Sequence, residues 1–429
     1  MLSSNRKLWK AIATCLSAIL LVAVTACGAA QNSGSPAASN PAPGSPAASK
    51  PAESAKASAP AKPQEPLKIG AILTSSGPIG SIGPKQLLGA ELAVDEINAA
   101  GGILGRKIEL IVRDDGGDPT KALTAAHELV EKQGVTIIIG VTLGSASQAV
   151  QPYLTEQKVV LIGMGSSGFN DPQKYPYSFF AAALPSLQTE ILVQYAVEVT
   201  KAQKIGVIAE STAFGNMSID DIKKHLNARG GLQPAGIELY ASGTQDVTAQ
   251  LTNLRKAGTQ VVIGVTQGAD SVRVLKTLQG MGWEVPFLGN EGLADATIID
   301  GVGPDGLKLA YAYGFARQSY SDKTTVHPRT KEFADKLAKR LNQNPLRESL
   351  QHPPRHYDIV YMLKMAIEKA QSTEGPKVAA GLEEIKNFDG ARASFTFSKD
   401  NHVGMSLDQL TMVKVAQPKD GFFERAPGY

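Results

Sequence analysis

The chain is expected to fold as an α/β protein of two doubly wound parallel-sheet lobes facing each other across a ligand cleft. Three observations carry that expectation. Short Val- and Ile-rich runs recur at 68–73, 107–112, 135–139, 159–162, 204–209, 260–265 and 285–288. Such runs, mostly apolar rather than alternating, suit strands covered on both faces. Amphipathic helical stretches separate them, which implies crossover connections and parallel pairing. The alternation is also too long for one sheet of ordinary width. It breaks at 170–185 among prolines and aromatics, restarts at Lys204, and breaks again near 310–320.

Taken in order, Leu87, Ala90, Val94 and Ile97 share one face of a first helix that stops at Gly101-Gly102. Asp118 and Pro119 form an N-cap and first-turn pair for the next helix, which ends at Gly134. Further helices are expected at about 146–157, 188–200, 215–229, 246–257, 269–281, 329–342 and 356–370. The breaks divide the body into one lobe of 67–182 with 313–397 and another of 183–312 with 398–429. Hinge strands are expected near 180–184, 310–313 and 395–398, and ligands of such sheets sit at the carboxyl ends of strands.

The segment ahead of this body reads differently. Residues 1–26 have the basic start (Arg6, Lys7, Lys10), short apolar stretch and small closing residues of an export signal. Val24-Thr25-Ala26-Cys27-Gly28 resembles the lipobox of bacterial lipoproteins, which implies lipidation of Cys27. Cys15 would leave with the leader, so no disulfide within the mature chain is expected. In 28–66, 30 of 39 residues are Ala, Pro, Ser or Gly, a composition that buries no core and suits an extended tether. The expected location is therefore exported and lipid-anchored, at the outer face of the cytoplasmic membrane or in the periplasm.

Charge and motifs narrow the function. Without the three basic leader residues, the 43 Lys and Arg fall to 40, equal to the 40 Asp and Glu. A neutral body lacks the basic face that nucleic-acid binding requires. Gly163-Met164-Gly165-Ser166-Ser167-Gly168 and Gly301-Val302-Gly303-Pro304-Asp305-Gly306 fit the spacing of a dinucleotide fingerprint. The first is followed by Asn170-Asp171-Pro172 rather than a helix, and the second follows no strand, so no cofactor is expected. The six histidines are scattered, and Pro353-Pro354 between His352 and His356 is expected to prevent the helical turn a metal pair would use. With no nucleophile, base or metal pattern in evidence, the chain is not expected to be an enzyme. Four small polar loops remain after strands: Thr74-Ser75-Ser76-Gly77-Pro78, Gly144-Ser145-Ala146-Ser147, Gly165-Ser166-Ser167-Gly168 and Gly289-Asn290-Glu291-Gly292. Hydroxyls and free N–H groups at helix starts suit a carboxylate, and an acid opposite suits an ammonium, so the set fits a zwitterion.

Ser76-Gly77-Pro78, the run from Gly89 to Lys107 (GAELAVDEINAAGGILGRK), and Asp114-Asp115 resemble the opening of branched-chain amino-acid binding proteins of ABC transporters. Similarity continues through Ile139-Gly140, Phe214-Gly215, Gly289-Asn290-Glu291-Gly292 and Tyr357-Asp358. The resemblance implies a type I periplasmic-binding-protein fold with three hinge crossings, a monomer that closes on an amino acid and delivers it to a membrane permease. It puts the ligand carboxylate at Gly144 and Ser145, with Ser167 beside the backbone of Gly165, and the ammonium at Glu291. It puts pocket positions near Ile82, at Phe214 where the family often has tyrosine, and at Gln267, where it often has an aromatic residue. Those two departures leave room for a ligand such as an amide, urea or aromatic carboxylate, and the fold also admits a sensor that signals to a membrane receptor.

Overall fold

The computed structural model describes residues 65–77, 79–164, 170–415 and 418–429. Cys27, the leader and nearly all of the tether lie outside the described residues.

The first sheet is built from β1 (Leu67–Leu73), β2 (Ile108–Asp114), β3 (Ile137–Gly140), β4 (Val160–Gly163) and β5 (Ser178–Phe180). All its pairings are parallel, in the order β2-β1-β3-β4-β5. Its crossovers are α1 (Ile82–Ala99), α2 (Pro119–His127) and α3 (Gly144–Glu156). The physical reason for the unbroken apolar runs is visible along β1 and β3. Ile69, Ala71, Leu73, Ile137 and Ile139 face one core, while Ile72 and Ile138 face another. Both sides of the pleat are buried, so alternation has no polar half.

After α4 (Pro185–Gln194) the chain enters a second sheet: β6 (Ile205–Glu210), β7 (Gly236–Tyr240), β8 (Val261–Val265), β9 (Phe287–Gly289) and β10 (Ala310–Phe315). Helices α5 (Ala213–Ala228), α6 (Thr248–Lys256), α7 (Gly268–Gly280), α8 (Ala296–Val302) and α9 (Pro304–Leu307) connect its strands. Following the short β11 (Ser319–Tyr320), helices α10 (Pro328–Leu341), α11 (Pro353–Ala370) and α12 (Gly375–Glu383) come next, then the hairpin of β12 (Phe388–Asp389) and β13 (Ser394–Phe395). The chain closes with β14 (Leu410–Lys414) and β15 (Phe423–Glu424). The second sheet has the order β14-β10-β9-β8-β6-β7 and is parallel except for β14, which runs antiparallel to β10.

Helix α11 returns to the first sheet by packing on α1. The approach is close because Gly89 has no side chain, and a Cβ there would overlap the carbonyl oxygen of Pro353. The chain thus passes between the sheets three times: after β5, after β10, and before β14, where Phe180 N–H donates to the carbonyl of His402 at 2.8 Å.

Several expectations change here. The break near 310–320 contains β10, so the expected lobe boundary at 312–313 and the expected hinge at 310–313 fall inside a strand of the second sheet. Pro353 and Pro354 do not block a helix at His356; they occupy its first turn, where a missing N–H is harmless, with His352 as the N-cap. The two-residue strands, the three-residue β5 and β7, whose burial alternates, carried too little pattern to be read from sequence.

Candidate functional site

Three adjacent strands of the first sheet, β1, β3 and β4, end in the polar loops singled out above. Gly140 closes β3 with φ of 99°, a left-handed conformation that suits glycine, and a Cβ there would strike the carbonyl of Ile72. The turn brings Thr142 inward. Its hydroxyl accepts from Thr74 N–H at 3.2 Å and donates to Gln86 Oε1 at 2.8 Å. Thr74 in turn donates its hydroxyl to Asp115 Oδ1 at 2.6 Å. All four side chains are buried. Around this frame stand three expected site residues: half-buried Ile82 at the start of α1, half-buried Gly144 at the start of α3, and exposed Ser145 beside it. Leu143, the N-cap of α3, offers no side-chain acceptor, so among the described residues no side chain caps the first-turn N–H groups. Gly165 and Ser167 lie outside the described residues.

In the second sheet the expected residues also follow adjacent strands, Phe214 after β6, Gln267 after β8 and Glu291 after β9. Thr212 caps α5 by accepting from Gly215 N–H at 3.1 Å, which sets half-buried Phe214 in the first turn. Gln267 N–H donates to Glu210 Oε1 at 2.8 Å, tying the ends of β6 and β8. Asn290 donates to the carbonyl of Thr266 at 2.7 Å and caps the turn that carries Glu291.

Glu291 is in a different situation from the one expected. Its Oε1 accepts from Arg355 at 2.9 Å, its Oε2 from Arg392, and its backbone carbonyl from the Gln351 amide. Arg355 and Arg392 are 1% and 0% exposed, and the guanidinium of Arg392 lies 3.8 Å over the Phe315 ring. Burial alone would raise the Glu291 pKa, but Arg392 and Arg355 outweigh it and hold the carboxyl down at about 2. Burial and the two arginines keep His352 neutral, with its pKa at about 3. Two cations therefore already claim the acid expected to receive an ammonium.

A further ion pair joins the two sets of loops, since Lys85 of α1 meets Asp295 at 2.6 Å and Glu348 at 3.4 Å. The cavity beside Glu291, walled by Tyr313, Phe315, Gln318 and Gln351, has only about 20 Å³, room for one water and not for a solute. Arg355, Arg392, Gln351 and Glu210 were missed in sequence. The first three sit 60 to 101 residues from Glu291 with no motif linking them. Among the described residues no group of three or more His, Cys, Asp or Glu could hold a metal ion, and no helix is long and apolar enough to cross a membrane.

Comparison with known proteins agrees with this architecture. Residues 66–421 match the sequence model of a family described as periplasmic binding protein. A Leu/Ile/Val-binding protein homolog of Brucella melitensis is 27% identical over 338 residues, 78% of this chain and 87% of that protein. The leucine-, isoleucine-, valine-, threonine- and alanine-binding protein of Pseudomonas aeruginosa is 26% identical over 310 residues, 72% of this chain and 79% of its own. Among solved structures, a type 1 periplasmic binding protein of Bordetella pertussis superposes with a TM-score of 0.74 at 22% identity, over 84% of this chain and 100% of that one. The branched-chain amino acid transporter substrate binding protein of Streptococcus pneumoniae, in complex with isoleucine, gives 0.72 at 22% identity over 83% and 97%.

Proposed function

Since the chain belongs to the periplasmic binding protein family, we propose that it is an exported, lipid-anchored solute-binding protein that captures an amino acid, branched-chain or related, and hands it to an ABC importer. The observation that supports this most is positional. Ile82, Gly144 and Ser145 follow adjacent strands of one sheet, and Phe214, Gln267 and Glu291 follow adjacent strands of the other. A solute between them is held by both lobes, with its carboxylate at the uncapped start of α3 and at Ser145, Gly165 and Ser167. Ile82, Phe214 and Gln267 border its side chain. The lobes are 67–182 with the segment after β10, and 183–315 with the closing segment, which moves the second passage to 316–318. The names of the Brucella and Pseudomonas relatives support an amino acid as the solute.

A thermal-shift screen of the purified protein against amino acids and small organic acids tests the reading, because a ligand that binds only the native state raises apparent stability. An upward shift with an amino acid is expected, and none with any amino acid contradicts it. The anchor has its own test: Cys27→Ala should move the protein from washed membranes to the soluble fraction, and retention on the membranes contradicts it. A second reading, a solute bearing an amide, a urea group or an aromatic carboxylate instead of an ammonium, is favoured by one observation, the engagement of Glu291 by two arginines.

A further inference from the structure

Four carboxylates stand at or just beyond the ends of the three adjacent second-sheet strands that carry the expected site residues, β6, β8 and β9, namely Glu210, Asp270, Glu291 and Asp295. Three are matched by a cation. Asp270 pairs with Arg273, Asp295 with Lys85, and Glu291 with both Arg355 and Arg392. At Glu291 one carboxylate faces two guanidinium groups, so the local sum is positive, and an ammonium brought there would meet two like charges in a buried setting. Glu210 is the exception. It is half-buried at the end of β6, its Oε1 accepts one neutral bond from Gln267 N–H at 2.8 Å, and among the described residues no cation pairs with it. Burial raises its pKa and the charge of Asp270 adds to the rise, both signs of a carboxylate lacking a positive partner. Its position is also apt, because it is bonded to one expected pocket residue, Gln267, and lies four positions before another, Phe214.

We infer that Glu210, at the end of β6, is the residue that receives the ammonium of the solute, while Glu291 serves to neutralise Arg355 and Arg392. The inference rests on the amino-acid reading above and names the acid within that site. It also removes the tension between an amino-acid solute and a Glu291 already engaged: of these four carboxylates, the zwitterion has its ammonium at the one that a cation would neutralise rather than compete for.

The test compares each of the twenty common amino acids, screened by thermal shift on the full protein, with the 2-oxo acid of the tightest binder, which keeps the carboxylate and side chain but lacks the ammonium. Calorimetry then gives the preference for the amino acid over its oxo acid in the parent, in Glu210→Gln and in Glu291→Gln. This ratio is insensitive to the fraction of protein folded. The inference expects Glu210→Gln to weaken the amino acid by roughly 10- to 100-fold, the scale of one hydrogen bond to a charged group, and to change the oxo acid by less than about threefold. Glu291→Gln should lower stability with the ratio near the parent's. If Glu210→Gln keeps the parent's ratio and Glu291→Gln loses it, the inference is overturned and the amino-acid reading stands. If no amino acid stabilises the parent, both fall. Should Glu210→Gln not fold, Glu210→Asp, which keeps the charge and withdraws it by one methylene, is read the same way: a reduced ratio supports the inference and the parent's ratio overturns it.

Discussion

The loops that close the two sheets are built on opposite electrostatic plans. Those of the first sheet rest on a frame of hydroxyl, amide and backbone bonds through Thr74, Thr142 and Gln86, with two acids, Asp115 bonded to a hydroxyl and an N–H and Asp114 to the N–H groups of Ser75 and Gly116. Those of the second sheet carry ion pairs at Asp270, Glu291 and Asp295, and the two arginines on Glu291 come from the segment around α11 and β13, distant in sequence. The difference teaches where an incoming charge can go. An anion arriving at the start of α3 meets donors with no competing side-chain acid capping them. A cation arriving at the second sheet finds most acids already matched, so its site is decided by which carboxylate has been left over.

The contrast can be broken from its charged side first. Glu291→Ala leaves Arg355 and Arg392 buried with no carboxylate, and denaturant unfolding should show a loss of about 3 to 5 kcal/mol. The same pair makes a pH prediction. Glu291 has a folded pKa depressed to about 2 from 4.5, so its contribution is fully present above pH 4.5 and is lost as pH falls through 2. At about 1.4 kcal/mol per unit, the parent should lose roughly 3 kcal/mol over that window through this group, and the slope should be shallower in Glu291→Ala. Equal slopes would mean that Glu291 is not held by the arginines in solution. Lys85→Met, which removes the cation of Asp295 at the junction of the two loop sets, should lower stability by about 1.5 to 3 kcal/mol. On the neutral side, Thr142→Val leaves Thr74 N–H and Gln86 Oε1 buried without this partner and should lower it by about 1 to 2 kcal/mol, with no dependence on salt. A salt-dependent loss there would contradict a neutral frame.

How much could be read in advance follows the same division. Strands such as β3 and β8 were legible because both faces of the pleat are buried and Ile137 to Ile139 or Val261 to Ile263 leave a continuous apolar run, whereas β14, buried from Leu410 to Val413 but interrupted by Thr411, was not. β7 was not, since Ile237 and Leu239 are exposed while Tyr240 is buried, and β10 was hidden because its aromatic and small residues do not resemble the Val/Ile runs. The positions of the site residues at strand ends were legible, because loops after strands are local features. The electrostatic state of Glu291 was not. It depends on residues 64 and 101 positions away that fold back through α11 and the turn before β13, and no local pattern marks a buried arginine as a partner. Glu210 was overlooked for the complementary reason, that a missing cation has no signature in a sequence.

The central claim is that one small solute is gripped by both sets of strand-end loops at once. Amide hydrogen exchange of the full protein, with and without a saturating amino acid identified by the thermal-shift screen, addresses it directly. The account predicts slower exchange in the first-sheet loops around 74–77 and 141–146 together with the second-sheet loops around 211–215, 266–268 and 290–292. Protection confined to one set, with the other unchanged at saturation, would contradict capture between the lobes.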